Sequence, residues 1–114
     1  MNEKKYNGWT NYETWLAKLW MDNDEGSQTY WDEVATEAYE ESEPAFDWQS
    51  NRDAARIDLA ERLKGEHEAT LDELGLGEAG LYADLMNAAL SEINWHEIAE
   101  SLIEAVEERE PINA

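Results

Sequence analysis

Aromatic and aliphatic residues recur at spacings of three and four along most of the 114-residue chain. In the first such segment the spacing is i, i+3, i+4, i+7 and i+8, which places every apolar side chain on one face of an α-helix. No segment alternates with period two for long enough to form a strand. The sequence therefore predicts an all-α fold, a compact single domain of four or five helices over residues 1–114.

Capping residues predict where the helices begin. Thr10 with Glu13, and Asn94 with Glu97, fit the capping box, in which each side chain satisfies the other residue's backbone donor. The third helix either stops at Gly65 or runs on to the glycines that follow residue 74. The fourth is predicted over residues 78–90. The expected first residues or N-caps are Thr10, Ser27, Ser50, Glu78 and Asn94.

The charge of the chain is far from balanced. Asp and Glu number 28 against 8 Lys and Arg, which gives a formal net charge of −20. A small domain usually carries a net charge of about 2–8 in magnitude, and an excess of this size costs stability through self-repulsion. A nucleic acid or an anionic membrane is a poor partner for such a chain, because phosphates would be repelled. The expected partner is a basic, nucleic-acid-binding protein.

The acidic residues also form rows at helical spacing. The segments between Lys18 and Arg52 and between Lys64 and Arg109 contain no cation. Neighbouring carboxylates in a row at i and i+4 are about 6 Å apart along a helix, and phosphates advance about 3.4 Å per nucleotide along a DNA strand. The rows thus predict partner-binding residues that imitate a nucleic-acid backbone, namely Glu33, Glu37, Glu40, Glu41, Glu97, Glu100, Glu104 and Glu108.

Most tryptophans have a simpler interpretation. Helical spacing predicts Trp15, Trp20, Trp31 and Trp95 in the core. Trp48 follows Pro44 in a short loop, outside any helical stripe, and is the candidate exposed anchor at a partner surface.

No catalytic motif is present, and the sequence predicts neither an enzyme nor a cofactor. There is no cysteine. His96 and Glu97 begin the zinc motif H-E-x-x-H, but Glu100 stands where the second histidine is required, so no metal site is predicted. No apolar run is long enough for a signal peptide or a membrane span, which favours the cytoplasm.

Two stretches resemble a family of small acidic proteins of phages, plasmids and bacteria. Residues 6–15 read YNGWTNYETW, and residues 94–99 read NWHEIA. The family is largely uncharacterised, and its mobile-element setting implies an accessory role. In charge and size the chain is also similar to DNA-mimic anti-restriction and anti-CRISPR proteins.

Two hypotheses follow. In the first, the protein is an anti-defence inhibitor that occupies the basic nucleic-acid channel of a host CRISPR effector or restriction enzyme, with a possible homodimer lengthening the acidic surface. In the second, it is a helical protein-interaction or regulatory module whose acidity is incidental and whose affinity survives salt.

Overall fold

The computed structural model of the protein describes residues 6–109 and contains five α-helices and no sheet within that range. The prediction of an all-α fold is therefore confirmed. The helices are α1 (Tyr12–Asn23), α2 (Glu25–Glu41), α3 (Asn51–Glu73), α4 (Leu81–Glu92) and α5 (Trp95–Arg109).

The core is built by α2, α3 and α5, each of which packs against the other two. Their apolar stripes meet, and the innermost side chains have no exposed surface or almost none. Burying a side chain of this size stabilises the fold by about 1.5–3 kcal/mol relative to leaving it in water. The largest fully buried aliphatic residues are Leu59, Leu63, Ile98, Ile103 and Val106.

A three-ring stack also joins these helices. The imidazole of His67 on α3 lies between the indoles of Trp31 on α2 and Trp95 on α5, with ring centroids 5.5 and 4.9 Å apart. The Nδ1 atom of His67 hydrogen-bonds the carbonyl oxygen of Leu63 at 2.7 Å, which fixes the ring. Trp31 and Trp95 are buried, as the sequence predicted.

Three arginines tie the same helices together at their edges. Arg52 on α3 pairs with two glutamates of α5, and Arg62 on α3 reaches α2, where its guanidinium lies 3.7 Å from Glu37. Arg109 at the end of α5 pairs with Asp32 of α2 at 2.7 Å. Each pair of core helices is thus joined through one arginine, so these scarce cations are used between helices.

The third helix runs without a break through Gly65 and ends at Glu73, which settles the alternative that the sequence left open. Ser50 is its N-cap, as predicted, and accepts a hydrogen bond from the Asp53 backbone N–H at 3.0 Å. Gly75 follows with a φ of +81°, the left-handed conformation that commonly ends a helix and that favours glycine.

The predicted starts of the first two helices are wrong by one to three residues. Asn11, not Thr10, caps α1, because its side chain accepts from the Thr14 N–H at 2.9 Å. Asp24, not Ser27, caps α2, and it accepts from the Ser27 N–H at 3.0 Å. The backbone N–H of Asp24 also donates to the carbonyl of Trp20, so this single residue ends α1 and begins α2.

The fourth helix begins at Leu81 rather than at residue 78 and lies outside the core. It packs mainly against α1. Its C-terminal end is held there, because the Asn11 side-chain amide donates to the carbonyl of Glu92 at 2.7 Å. Trp20 of α1 was predicted in the core, but it is 68% exposed, since Thr14 and Met21 define the buried side of α1 and Trp20 lies about 100° around the helix from Met21. Trp15 is half-buried.

Candidate functional site

The two motif segments meet in the fold although about 80 residues separate them. Thr14, which is fully buried, accepts a hydrogen bond at its Oγ1 from the backbone N–H of Asn94 at 2.8 Å, and it donates to the Asn11 side chain at 2.7 Å. The chain reverses before α1 at Asn7 and Gly8, both with positive φ. This turn places Tyr6 against Trp15, with ring centroids 5.0 Å apart. The motif residues therefore fasten the start of the chain to the α4–α5 junction.

Glu97 belongs to this junction. Its backbone N–H donates to the Asn94 side chain at 3.0 Å, which is one half of the predicted capping box. The other half differs, because the Glu97 carboxylate accepts from the backbone N–H of Thr10 at 3.0 Å. Glu97 is half-buried and bound within the protein.

The predicted row on α2 lies on the outer face of that helix. Trp31, Val34 and Ala35 point into the core, and the four glutamates are exposed, on an arc from the side opposite Trp31 to the edge of the helix beside α3. They are Glu33, Glu37, Glu40 and Glu41.

Two further carboxylates extend this row toward α3. Two adjoining depressions of about 330 and 540 Å³ share Glu37, Glu41 and Arg62 among their lining residues. Glu43 and Asp58 line the smaller one, and both are exposed. We call these six carboxylates the α2 acidic surface. Arg62 is the one cation among the residues described here that line either depression.

Arg62 only partly offsets the α2 acidic surface. Its Nε donates to Glu66 at 2.8 Å, and its guanidinium donates to the Tyr30 hydroxyl at 3.2 Å. These hydrogen bonds, the one to Glu66 foremost, raise the pKa of Arg62 above its ordinary value. Glu37 is the more distant partner, so most of the negative charge on this surface faces solvent.

The predicted row on α5 is divided by the structure. Arg52 donates two hydrogen bonds to Glu100, at 2.8 and 3.0 Å, and two to Glu107, at 2.8 and 3.2 Å. The hydrogen bonds from Arg52 hold the pKa of the Glu100 carboxyl below its usual range. Glu104 and Glu108 are exposed and form the remaining acidic patch on this helix.

The α2 and α5 rows form two separate surfaces. Because α2, α3 and α5 pack around one core, the outward faces of α2 and α5 point in different directions. Trp48 stands apart from both, in the loop between α2 and α3. It is 78% exposed, and its ring stacks on that of Phe46 with centroids 5.2 Å apart.

Sequence reasoning missed Asp58 and Glu43 as neighbours of the α2 row. Asp58 precedes Arg62 by four residues on α3, and this i, i+4 spacing is the signal that could have placed both at the same edge. Among residues 6–109 no group of three or more potential ligand side chains is arranged to hold a metal ion. No helix in that range is long and apolar enough to span a bilayer.

These features define a small all-helical acidic protein in which three arginines join the core helices and many carboxylates face solvent. The chain matches DUF7249, a family of unknown function, over residues 2–109 and belongs to that family. No curated protein and no solved structure matches it.

Proposed function

We propose that this protein is an inhibitor that presents the α2 acidic surface to the basic nucleic-acid channel of a host defence protein, such as a CRISPR effector or a restriction enzyme. The observation that supports the proposal is the concentration of six exposed carboxylates around Arg62. The spacing of Glu33, Glu37 and Glu41 along α2, about 6 Å per step, is compatible with lysines and arginines that otherwise bind successive phosphates.

Binding would be distributed and electrostatic, with no chemical step. Each exposed ion pair contributes about 0–1 kcal/mol, so a single Glu→Gln change on α2 has little effect. Glu104 and Glu108 would add a second contact, whereas Glu97 and Glu100 are bound to Thr10 and Arg52 and contribute mainly to the fold. The site of action would be the host cytoplasm, where such nucleases work.

The test is capture of host proteins on the immobilised protein, followed by elution along a salt gradient and competition with DNA. We expect a nucleic-acid-binding protein that elutes at moderate salt and is displaced by DNA. A partner that binds no nucleic acid, or that stays bound at high salt, would contradict the proposal.

A matched pair of variants then locates the contact. Glu33→Lys, Glu37→Lys and Glu41→Lys together should weaken binding of the captured protein by at least roughly tenfold at low salt. The control is Glu61→Lys, Glu68→Lys and Glu73→Lys on the exposed side of α3, which changes the net charge equally. If both triple variants lose the same affinity, net charge alone is responsible and the α2 acidic surface has no special role.

A second candidate function is a protein-interaction module that recognises its partner through exposed aromatic rings. The 78% exposure of Trp48 favours it, since most of a large apolar ring is left in water. In that case Trp48→Ala reduces the affinity for the captured protein, whereas the α2 triple variant does not.

A further inference from the structure

The outward face of α4 is apolar and unpartnered in the described part of the chain. Leu81, Tyr82, Leu85 and Met86 are 66%, 69%, 56% and 38% exposed. Their spacing of i, i+1, i+4 and i+5 puts them on one side of the helix, and buried Ala83 faces the other way. Single exposed apolar residues are ordinary, but a contiguous group of this kind marks an interaction site.

A cleft lies beside α4 at the C-terminal end of this face. Leu90, one turn beyond Met86 and on the side of the helix that packs inward, lines a depression of about 400 Å³ together with Ile93 and with Trp20 of α1. Trp20 is the exposed tryptophan that the core does not accommodate. We call the four exposed α4 residues and this cleft the α4 surface. It offers a helical ridge and an adjacent hollow that one apolar side chain could fill.

The charges around the α4 surface have one sign. The chain has no Lys or Arg between residues 64 and 109. Asp84 and Glu92 lie on α4 itself and Asp24 lines the cleft, and all three are exposed. A second copy of this chain would bring the same carboxylates against them, and an anionic membrane would be repelled.

The size of the α4 surface also argues against a second copy. A stable interface takes roughly 20–30 residues from each side, and one exposed helical face with a small cleft supplies far fewer. A short segment that matches both the apolar ridge and the acidic rim needs no such area.

We infer that the α4 surface binds a basic amphipathic helix of a partner protein. Its apolar stripe would lie along Leu81, Tyr82 and Leu85, with one side chain in the cleft beside Trp20. Its lysines or arginines would pair with Asp84, Glu92 and Asp24. This is the helix-in-groove mode of recognition, with the rim charges setting specificity. The inference goes beyond the inhibitor proposal, because it uses another surface and requires no likeness to DNA.

Two synthetic peptides of about 18 residues, or five helical turns, provide the test. One has leucines at helical spacing and lysines elsewhere, and in the other serines replace the leucines, so the charge is equal. Fluorescence anisotropy at moderate salt should show that the wild-type protein binds the leucine peptide roughly tenfold more tightly than the serine peptide. Because both peptides carry the same charge, the general attraction of lysines to an acidic protein cancels in the ratio of the two affinities.

Variants assign the preference to one surface. The preference for the leucine peptide should be abolished by the combined changes Leu81→Gln, Tyr82→Gln and Leu85→Gln. Urea unfolding should be unchanged, because all three side chains are exposed. The aromatic control, Phe46→Gln with Trp48→Gln, should retain the preference. So should Glu33→Gln with Glu37→Gln and Glu41→Gln, because the inference does not use the α2 acidic surface. Equal binding of both peptides by the wild type, a preference that survives the α4 change, or a wild-type dimer that this change dissociates in sedimentation would each overturn the inference.

Discussion

The core helices and α4 use apolar residues and charge in opposite ways. In α2, α3 and α5 the large apolar side chains point inward, and arginines link the helices at their edges. In α4 they point outward, and no cation lies within the helix. In the core helices both the apolar side chains and the arginines make internal contacts, and these contacts specify the fold. In α4 the outward apolar side chains and the acidic side chains are available for contacts with another molecule.

The difference between the core helices and α4 also indicates which residues determine the free energy of unfolding. Side chains such as Ile103 are fully buried, whereas α4 and its C-cap add mainly Leu90 and Ile93 to the edge of the core. We therefore expect the free energy of unfolding to depend on the three core helices and binding to depend on the surfaces outside them.

The largest effect should come from a cavity in the core. Ile103 has no exposed surface, and Ile103→Ala should lower the free energy of unfolding by about 2–5 kcal/mol. Leu85→Ala on the outer face of α4 removes a side chain of similar size and should change it by less than about 0.5 kcal/mol. Urea denaturation measures both. Similar losses for the two variants would break the distinction between core and α4.

The next effect concerns the ionic contact between α3 and α5. Arg52→Gln leaves Glu100 and Glu107 close together without their shared donor. The three side chains are each about one-third exposed, so solvent screens the loss. We expect the free energy of unfolding, measured by urea denaturation at neutral pH, to decrease by about 1–2 kcal/mol. As a control, Lys18→Gln removes a pair within α1 and should cost less than about 0.5 kcal/mol.

The same pair predicts a pH dependence. Arg52 lowers the folded-state pKa of Glu100 below its ordinary value of 4.5, so the stability that the pair contributes is present above that value. It is lost as the pH falls through the lower, folded-state pKa. The difference in stability between wild type and Arg52→Gln should therefore be constant from pH 7 to pH 6 and shrink below pH 4.5. A difference that stays constant at acidic pH would show that Arg52 acts by packing.

The smallest effect should come from the glycine within α3. Gly65 is helical, and a Cβ added there meets nothing within 4 Å, so Gly65→Ala should raise the free energy of unfolding by about 0.5–1 kcal/mol. Gly75 provides the contrast, because its positive φ makes Gly75→Ala unfavourable. Thermal unfolding of both variants is the measurement. A loss of stability in Gly65→Ala would mean that α3 is not one continuous helix.

The apolar spacing predicted the core well because each core helix has one narrow stripe. The cap at Ser50 was predicted for the same local reason, since the side chain and its acceptor lie three residues apart. Asn11 and Thr10 are both good caps, as are Asp24 and Ser27, and local preference does not choose between neighbours. At the start of α1 the choice goes with a long-range contact, because Thr14, which bonds the Asn11 side chain, also accepts a hydrogen bond from the backbone N–H of the distant Asn94.

The α4 surface and the ionic contacts between helices could not be predicted from local sequence patterns. In α4 the apolar residues come in adjacent pairs, at 81–82, 85–86 and 89–90, so they cover more of the helix than one core can bury. The sequence does not say which side packs. Likewise, Glu100 fits an acidic row until it meets Arg52, which lies 48 residues away. Long-range pairing of this kind is fixed by the fold.

The double role of Asp24 restricts how the length of this chain can vary in evolution. Since one residue both ends α1 and begins α2, an inserted residue there has no loop to absorb it. If it lengthened α2 by one residue, the start of α2 would turn by about 100° relative to Trp31, and α1 would be displaced with it. Insertions and deletions among relatives should therefore collect at residues 43–49 and 75–80, where the helices are joined by real loops, and the α1–α2 junction should keep its length.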